Sequence, residues 1–332
     1  MELDVLIKKL KMNWKYPEWW SELVVSAYYH LKGNDGDNVF DYEWDNLVIL
    51  DACSCEAFRR EFSIRFPDRN AECRISNATC TLEFLLKTFT DGHYNDIVYI
   101  SGNPYSNKVF KNKFYKIIPV WVNGWDDRLN TVPPENMFRA VLLALKKYPD
   151  KKFVIHFMQP HFPYINMPSF RDGSLKLFRE NVMTQGNVYG GISPSQYKMS
   201  FTKITSSPIY LMGTREDHLK GYYYNLRKAL DVVERLLRVL PGKTLITADH
   251  GDSFGEIISP FLPVRVYGHP WNIRIDVLKR VPLWVSVNNE YPRGEYPRKQ
   301  VKKEFYKLKG KRKAEKSTIK NVVMRLKRHG KL

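Results

Sequence analysis

The chain has 332 residues, 43% hydrophobic and 14% aromatic, enough to bury a full core, and a formal charge of +18. No run of about 18 apolar residues occurs, which excludes a transmembrane helix by hydropathy. Met1-Glu2-Leu3-Asp4 opens no basic stretch followed by an apolar core, so no secretion signal is read and a cytoplasmic location is expected.

Residues 1–40 read as an N-terminal helical segment whose Trp14, Trp19 and Trp20 pack on the domain or meet an interface. A globular domain over 41–290 follows. Leu47-Val48-Ile49-Leu50 predicts a strand at 46–51 buried on both faces, with Asp51 at its end as a metal ligand or the N-cap of a helix over 54–65. Small hydroxyl residues from Ser76 to Thr81 precede an apolar helix at 81–90, which Thr79 and Glu83 are placed to cap. A strand at 96–101, a helix at 135–148 and a strand at 152–157 come next. That strand carries His156 and runs into a loop stiffened by Pro160 and Pro163 around His161. His156 reads as a hydrogen-bonded core histidine, and His161 as the functional one of the pair. The irregular stretch 163–207 reads as an insertion or lid. A helix over 216–240 opens on Asp217, and a strand at 243–248 ends in Asp249-His250-Gly251. An Asp and a neutral His in sequence supply one oxygen and one nitrogen, a pair suited to Zn, Mn or Fe more than to Ca. A strand at 281–287 closes the domain. Alternating strands and helices predict a largely parallel sheet with helices on both faces.

From Tyr291 to Leu332 sixteen Lys/Arg stand against three Asp/Glu, so most of the net charge lies in a basic tail, expected to be solvated and partly helical. The four cysteines, at 53, 55, 73 and 80, have no zinc-ribbon spacing and read as reduced cytosolic thiols.

The string from Thr247 to Glu256, with Asp-His-Gly after a strand and Gly255-Glu256 beyond it, resembles the signature of the alkaline phosphatase and sulfatase superfamily. Asp51-Ala52-Cys53 is similar to the Asp-Ala-Cys-Arg-Tyr-Asp of one microbial branch, although Ser54-Cys55-Glu56 replaces its Arg-Tyr-Asp. Thr79 with Glu83-Phe84 resembles the Thr-Ser-Asp-x-Glu-Phe pattern of lipoteichoic acid synthases, and His156 to Tyr164 resembles a His-x-x-x-Pro-His-x-Pro-Tyr run whose second His faces substrate. Cys80 lacks the Cys-x-Pro-x-Arg context of arylsulfatases, which favours phosphoryl over sulfuryl chemistry. The resemblance implies an alkaline-phosphatase-like α/β sandwich and a divalent metal, Mn, Zn or another, held by Asp51, Thr79, Asp249 and His250; a second metal is left open. It makes Thr79 the nucleophile, with Thr81, Cys80 and Ser76 as alternatives, and has His161 and His269 hold or protonate the transferred group. The expected substrate is an anionic phosphate-type ester on a glycan or lipid carrier, with sulfate less favoured. Residues 291–332 would associate peripherally with an anionic membrane at its inner face; nucleic acid is disfavoured for want of a reading module. The competing readings are an inactive sulfatase-like binding protein and a tail-driven binder of nucleic acid or membrane.

Overall fold

Continuous apolar runs with β-branched residues build the centre of the molecule. The computed structural model describes residues 36–106, 110, 112–167, 212–291 and 297–308, with residue 310 and short pieces within 11–29 and 177–183. In chain order the elements are β1 (Asn46–Leu50), α1 (Cys55–Arg65), β2 (Glu72–Ile75), α2 (Thr81–Phe89), β3 (Tyr94–Ser101), β4 (Phe114–Pro119), the short α3 (Val120–Asn123), α4 (Pro134–Lys147), β5 (Lys152–Phe157), α5 (Arg215–Leu237), β6 (Gly242–Thr247), β7 (Ser253–Ser259), β8 (Leu262–Gly268), the short α6 (Asp276–Lys279) and β9 (Arg280–Asn288). Most of the expected 163–207 insertion, of the 1–40 segment and of the 291–332 tail lies outside the described residues.

Seven strands form one sheet in the order β2-β9-β6-β1-β5-β3-β4. The run from β6 to β4 is parallel, and β9 is antiparallel to both neighbours, so the sheet is mixed at one edge. Alternate residues of each central strand feed opposite faces. Val48 and Leu50 join the large core with α1, α4 and α5, while Leu47 and Ile49 join a second core with Phe84, Leu85 and Phe89 of α2. Helices therefore cover both faces, as expected. Strands β7 and β8 form a separate hairpin.

Four strands escape the sequence reading, namely β2, β4, β7 and β8. Strand β2 is a four-residue edge strand of alternating character, Glu-Cys-Arg-Ile, too short and too polar to stand out. Helix α5 starts at a capping box between Thr214 and Asp217, so the expected capping role of Asp217 is exercised from the third helical position. Residues 298–308 are helical and bury Val301 and Leu308 in the large core, so this part of the basic segment packs on the domain.

The cysteines require a correction. Cys55 at the start of α1 and Cys73 on β2 form a disulfide, leaving Cys53 and Cys80 as buried free thiols. The eighteen-residue separation hides the pair in the sequence, because only the fold brings α1 against β2.

Candidate metal centre

The ends of β1, β6 and β5 lie side by side, since Ile49 pairs with both Thr247 and His156. This is the carboxyl edge of the parallel strands, where an open α/β sheet places its ligands. Asp51, His156, Asp249 and His250 gather there, and all four are fully buried.

Local structure turns each group inward. Directly after Asp51, Ala52 adopts a left-handed conformation with φ of 62°. For a residue with a Cβ that costs about 1–3 kcal/mol. The turn aims the Ala52 amide at Asp249 Oδ1, 3.1 Å away, and the Tyr222 hydroxyl fastens it by donating to the Ala52 carbonyl at 2.8 Å while accepting from the Ser54 amide at 3.0 Å. The residue after His250 must be glycine, because a Cβ at Gly251 would lie 1.9 Å from the Val277 carbonyl. His250 Nδ1 donates to the Gly251 carbonyl at 2.7 Å, which leaves Nε2 with its lone pair facing the cluster. Asp249 Oδ1 also accepts from the His250 amide, while Oδ2 has no hydrogen-bond partner. Asp51 Oδ2 accepts from Asn103 Nδ2 at 2.7 Å, and its Oδ1 turns toward His250.

The spacings around His250 Nε2 are those of neighbouring ligands on one ion. Four donors at about 2.0–2.1 Å from a tetrahedral metal stand about 3.3 Å apart. Here Thr81 Oγ1 is 3.2 Å from His250 Nε2 and 3.3 Å from Asp51 Oδ1, and His250 Nε2 is 3.4 Å from Asp249 Oδ2 and 3.7 Å from Asp51 Oδ1. Electrostatics agrees. Burial, and then the charge of Asp249, push the Asp51 carboxyl well above the usual carboxylate range. Burial also opposes ionisation of Asp249, but His250 and His156 prevail and hold it below that range. Two buried carboxylates that cannot comfortably ionise together call for a cation between them. Burial is also the main reason that His250 is lowered to about 4, so its Nε2 is unprotonated at neutral pH.

Of the expected ligands, then, Asp51, Asp249 and His250 meet. The hydroxyl beside them belongs to Thr81, the first residue of α2, and not to Thr79. Thr79 instead bonds Glu83 Oε2 and the Pro270 carbonyl, each at 3.0 Å, through its hydroxyl, and Glu83 Oε2 again through its amide at 2.9 Å. The entry to α2 needs these bonds, and the two-residue offset follows. Ser76 is also engaged elsewhere, donating to the Asp249 carbonyl, and Cys80 is a buried thiol raised by burial.

His161 and His269 lie on the half-buried side of the cluster. Asn225 of α5 clamps the His161 loop by donating to the carbonyls of His161 and Pro163 at 3.0 and 2.9 Å. His161 Nδ1 donates to the Phe162 carbonyl and His269 Nδ1 to Asp252 Oδ1 at 3.1 Å. Their Nε2 atoms, 3.4 Å apart, therefore face each other with lone pairs, a pairing that needs a proton or a cation between them. The His269 ring lies 4.5 Å from that of His250, which joins this pair to the buried cluster.

Strand β2 braces the whole arrangement. Buried Arg74 donates to Thr247 Oγ1 and the Ala248 carbonyl, both at 2.8 Å, and to the Asp37 carbonyl at 3.2 Å. The sequence reading did not single out Arg74, Asn103 or Asp252, and it assigned His156 to the core. His156 had a usable signal, since it sits near the end of an apolar strand as Asp51 and Asp249 do.

No family profile and no curated protein matches the chain. Among solved structures it is similar to the integral membrane lipooligosaccharide phosphoethanolamine transferase A (EptA) of Neisseria meningitidis, at 11% identity and a TM-score of 0.49 over 86% of this chain and 58% of that one. The soluble domain of the same transferase aligns at 14% identity and a TM-score of 0.45, over 73% and 75% of the two chains. The C-terminal periplasmic domain of EptC from Escherichia coli, in complex with Zn, aligns at 12% and 0.41, over 78% and 77%. The chain thus spans just over half the length of the first of these. The expected cytoplasmic location does not stand, because the Cys55–Cys73 disulfide is a feature of oxidising compartments. Among the described residues no helix is long and apolar enough to cross a membrane.

Proposed function

We propose that the protein is a metal-dependent transferase or hydrolase acting on a phosphate-type ester through the hydroxyl of Thr81. The observation that carries this reading is the buried set of Asp51, Thr81, Asp249 and His250, in which His250 Nε2 lies 3.2–3.7 Å from a donor atom of each of the other three. A Zn or Mn ion suits that donor set, with Asp51, Asp249, His250 and Thr81 holding it. Such an ion, when bound, lowers the pKa of a ligating hydroxyl and neutralises charge on the transferred group.

The chain's own residues supply the rest. Thr81 stands at the N-terminus of α2, where amides without intrahelical partners and the helix dipole favour negative charge on the attacking oxygen and on the group it attacks. Asp51 Oδ1, which keeps a second lone pair when it ligates an ion, is the acceptor within reach of the Thr81 proton, at 3.3 Å. His161 and His269 line the accessible side; with an anionic substrate bound there to favour its uptake, a proton held between their Nε2 atoms would pass to the leaving oxygen. They are equally suited to a second cation. The chain's strong positive charge favours an anionic substrate, and a lipid- or glycan-linked phosphodiester is the class we infer. Threonine in place of a modified cysteine favours phosphate over sulfate.

The test is incubation with aryl phosphate monoesters, diesters and aryl sulfate, followed by mass spectrometry of the peptide containing Thr81. The expected result is metal-dependent turnover of a phosphate ester with a covalent adduct on Thr81. Turnover unaffected by chelator, or an adduct on another residue, contradicts the reading.

A further inference from the structure

His156 stands beside the buried set and takes no part in the chemistry proposed above. It lies on β5, fully buried, with Nδ1 2.8 Å from the hydroxyl of Tyr99 on the adjacent β3. Its Nε2 has no hydrogen-bond partner and lies 3.7 Å from Asp249 Oδ2, which has none either. Donor atoms of Asp51, His156 and Asp249 all fall within 4.8 Å of one another.

We propose that His156 Nε2 is itself a metal ligand, so that the centre comprises two imidazoles, two carboxylates and the Thr81 oxygen. This rests on the metal site proposed above. Buried nitrogens and carboxylate oxygens rarely go unsatisfied, and each such vacancy costs about 1–3 kcal/mol. Here two of them face the same space, and a cation satisfies both. The Tyr99 contact fits: with Nδ1–H donated to the phenol oxygen, the ring tautomer leaves the Nε2 lone pair on the metal side, as metal-bound histidines are commonly held. The 3.7 Å separation from Asp249 Oδ2 equals that between His250 Nε2 and Asp51 Oδ1. A second imidazole shifts preference away from Mg and Ca toward Zn, Fe, Co or Mn.

The competing arrangement reverses the Tyr99 bond, so that Tyr99 donates to Nδ1 and His156 presents Nε2–H to Asp249, positioning the carboxylate without touching the ion. His156→Gln separates the two, because the amide still offers an N–H but is a poor ligand for Zn or Co. The full chain with His161→Ala and His269→Ala, which removes the outer histidine pair, is loaded with one equivalent of Co(II), with and without His156→Gln. Affinity is measured by chelator competition alongside the visible absorption. Ligation by His156 predicts at least a 10–100-fold loss of affinity and a changed Co(II) spectrum. X-ray absorption on the Zn-loaded chain with His156 intact predicts two imidazoles per ion, and this decides the matter even if the glutamine variant misfolds. Unchanged affinity and spectrum, or a count of one imidazole, overturns the inference while leaving the metal site standing. Failure to bind either ion removes both.

Discussion

Thr79 and Thr81 are two residues apart and the structure gives them different work, so exchanging each for alanine should produce opposite phenotypes. The Thr79 hydroxyl lies 3.0 Å from both Glu83 Oε2 and the Pro270 carbonyl. Thr79→Ala removes the one hydroxyl proton that these two acceptors share at a buried position, a loss of about 1–2 kcal/mol in unfolding free energy. It leaves the Asp51, Asp249 and His250 donors in place, so turnover of a phosphate ester should stay within a few-fold of wild type, and Thr79→Ser should restore the stability. Thr81→Ala deletes the hydroxyl 3.2 Å from His250 Nε2 and 3.3 Å from Asp51 Oδ1. Turnover should fall by about 10³-fold or more, as when an enzyme nucleophile is removed, with little change in unfolding free energy. The assays are urea denaturation followed by circular dichroism, and steady-state turnover of an aryl phosphate. Abolished turnover in Thr79→Ala together with an active Thr81→Ala would refute the assignment and return the nucleophile to Thr79.

Arg74→Met leaves Thr247, the Ala248 carbonyl and the Asp37 carbonyl without their donor, and should destabilise the fold by about 3 kcal/mol or more and weaken metal binding; a variant with wild-type stability contradicts the bracing role of β2. Reducing the Cys55–Cys73 disulfide, which spans eighteen residues, should lower stability by about 3 kcal/mol, read as a shift of the urea midpoint with and without dithiothreitol. In chelator, acidification brings two opposing effects. Burial lowers His161 and His250 to about 4, so between about pH 6.5 and 4 the unfolded chain takes up protons that the folded chain refuses, and stability falls. Asp51, raised by burial and by Asp249, takes its proton more readily folded than unfolded, so it gains stability as pH falls. Asp51→Asn removes that gain, and its metal-free form should lose stability more steeply over this window than wild type; an equal or shallower slope in urea denaturation contradicts a raised Asp51 carboxyl.

The central strands were legible because a strand buried on both faces must be apolar throughout, and a carboxylate directly after such a run, as in Leu50-Asp51 or Ala248-Asp249, breaks the pattern. The groups that only topology assembles were not legible. Asn103 follows β3 as an ordinary turn residue and becomes a donor to Asp51 only because β3 lies beside β5 and β5 beside β1. Cys55 and Cys73 lie on a helix and an edge strand whose juxtaposition no local pattern states. The choice between Thr79 and Thr81 depended on where α2 begins: the helix starts at Thr81, with Cys80 as its N-cap, and Thr79 lies outside it against Glu83. From the sequence His156 reads as a core residue, because a buried histidine with one hydrogen bond is common in cores; its unsatisfied second nitrogen is visible only in three dimensions.

The most direct test of the metal centre is elemental analysis of the protein after reconstitution with Zn or Mn and removal of free ion, comparing wild type with Asp249→Ala/His250→Ala. The account predicts at least one tightly held divalent ion per wild-type chain and the loss of one in the double variant, with the variant still folded by circular dichroism. A wild-type chain that retains no ion, or a variant that retains as much as wild type, would contradict it.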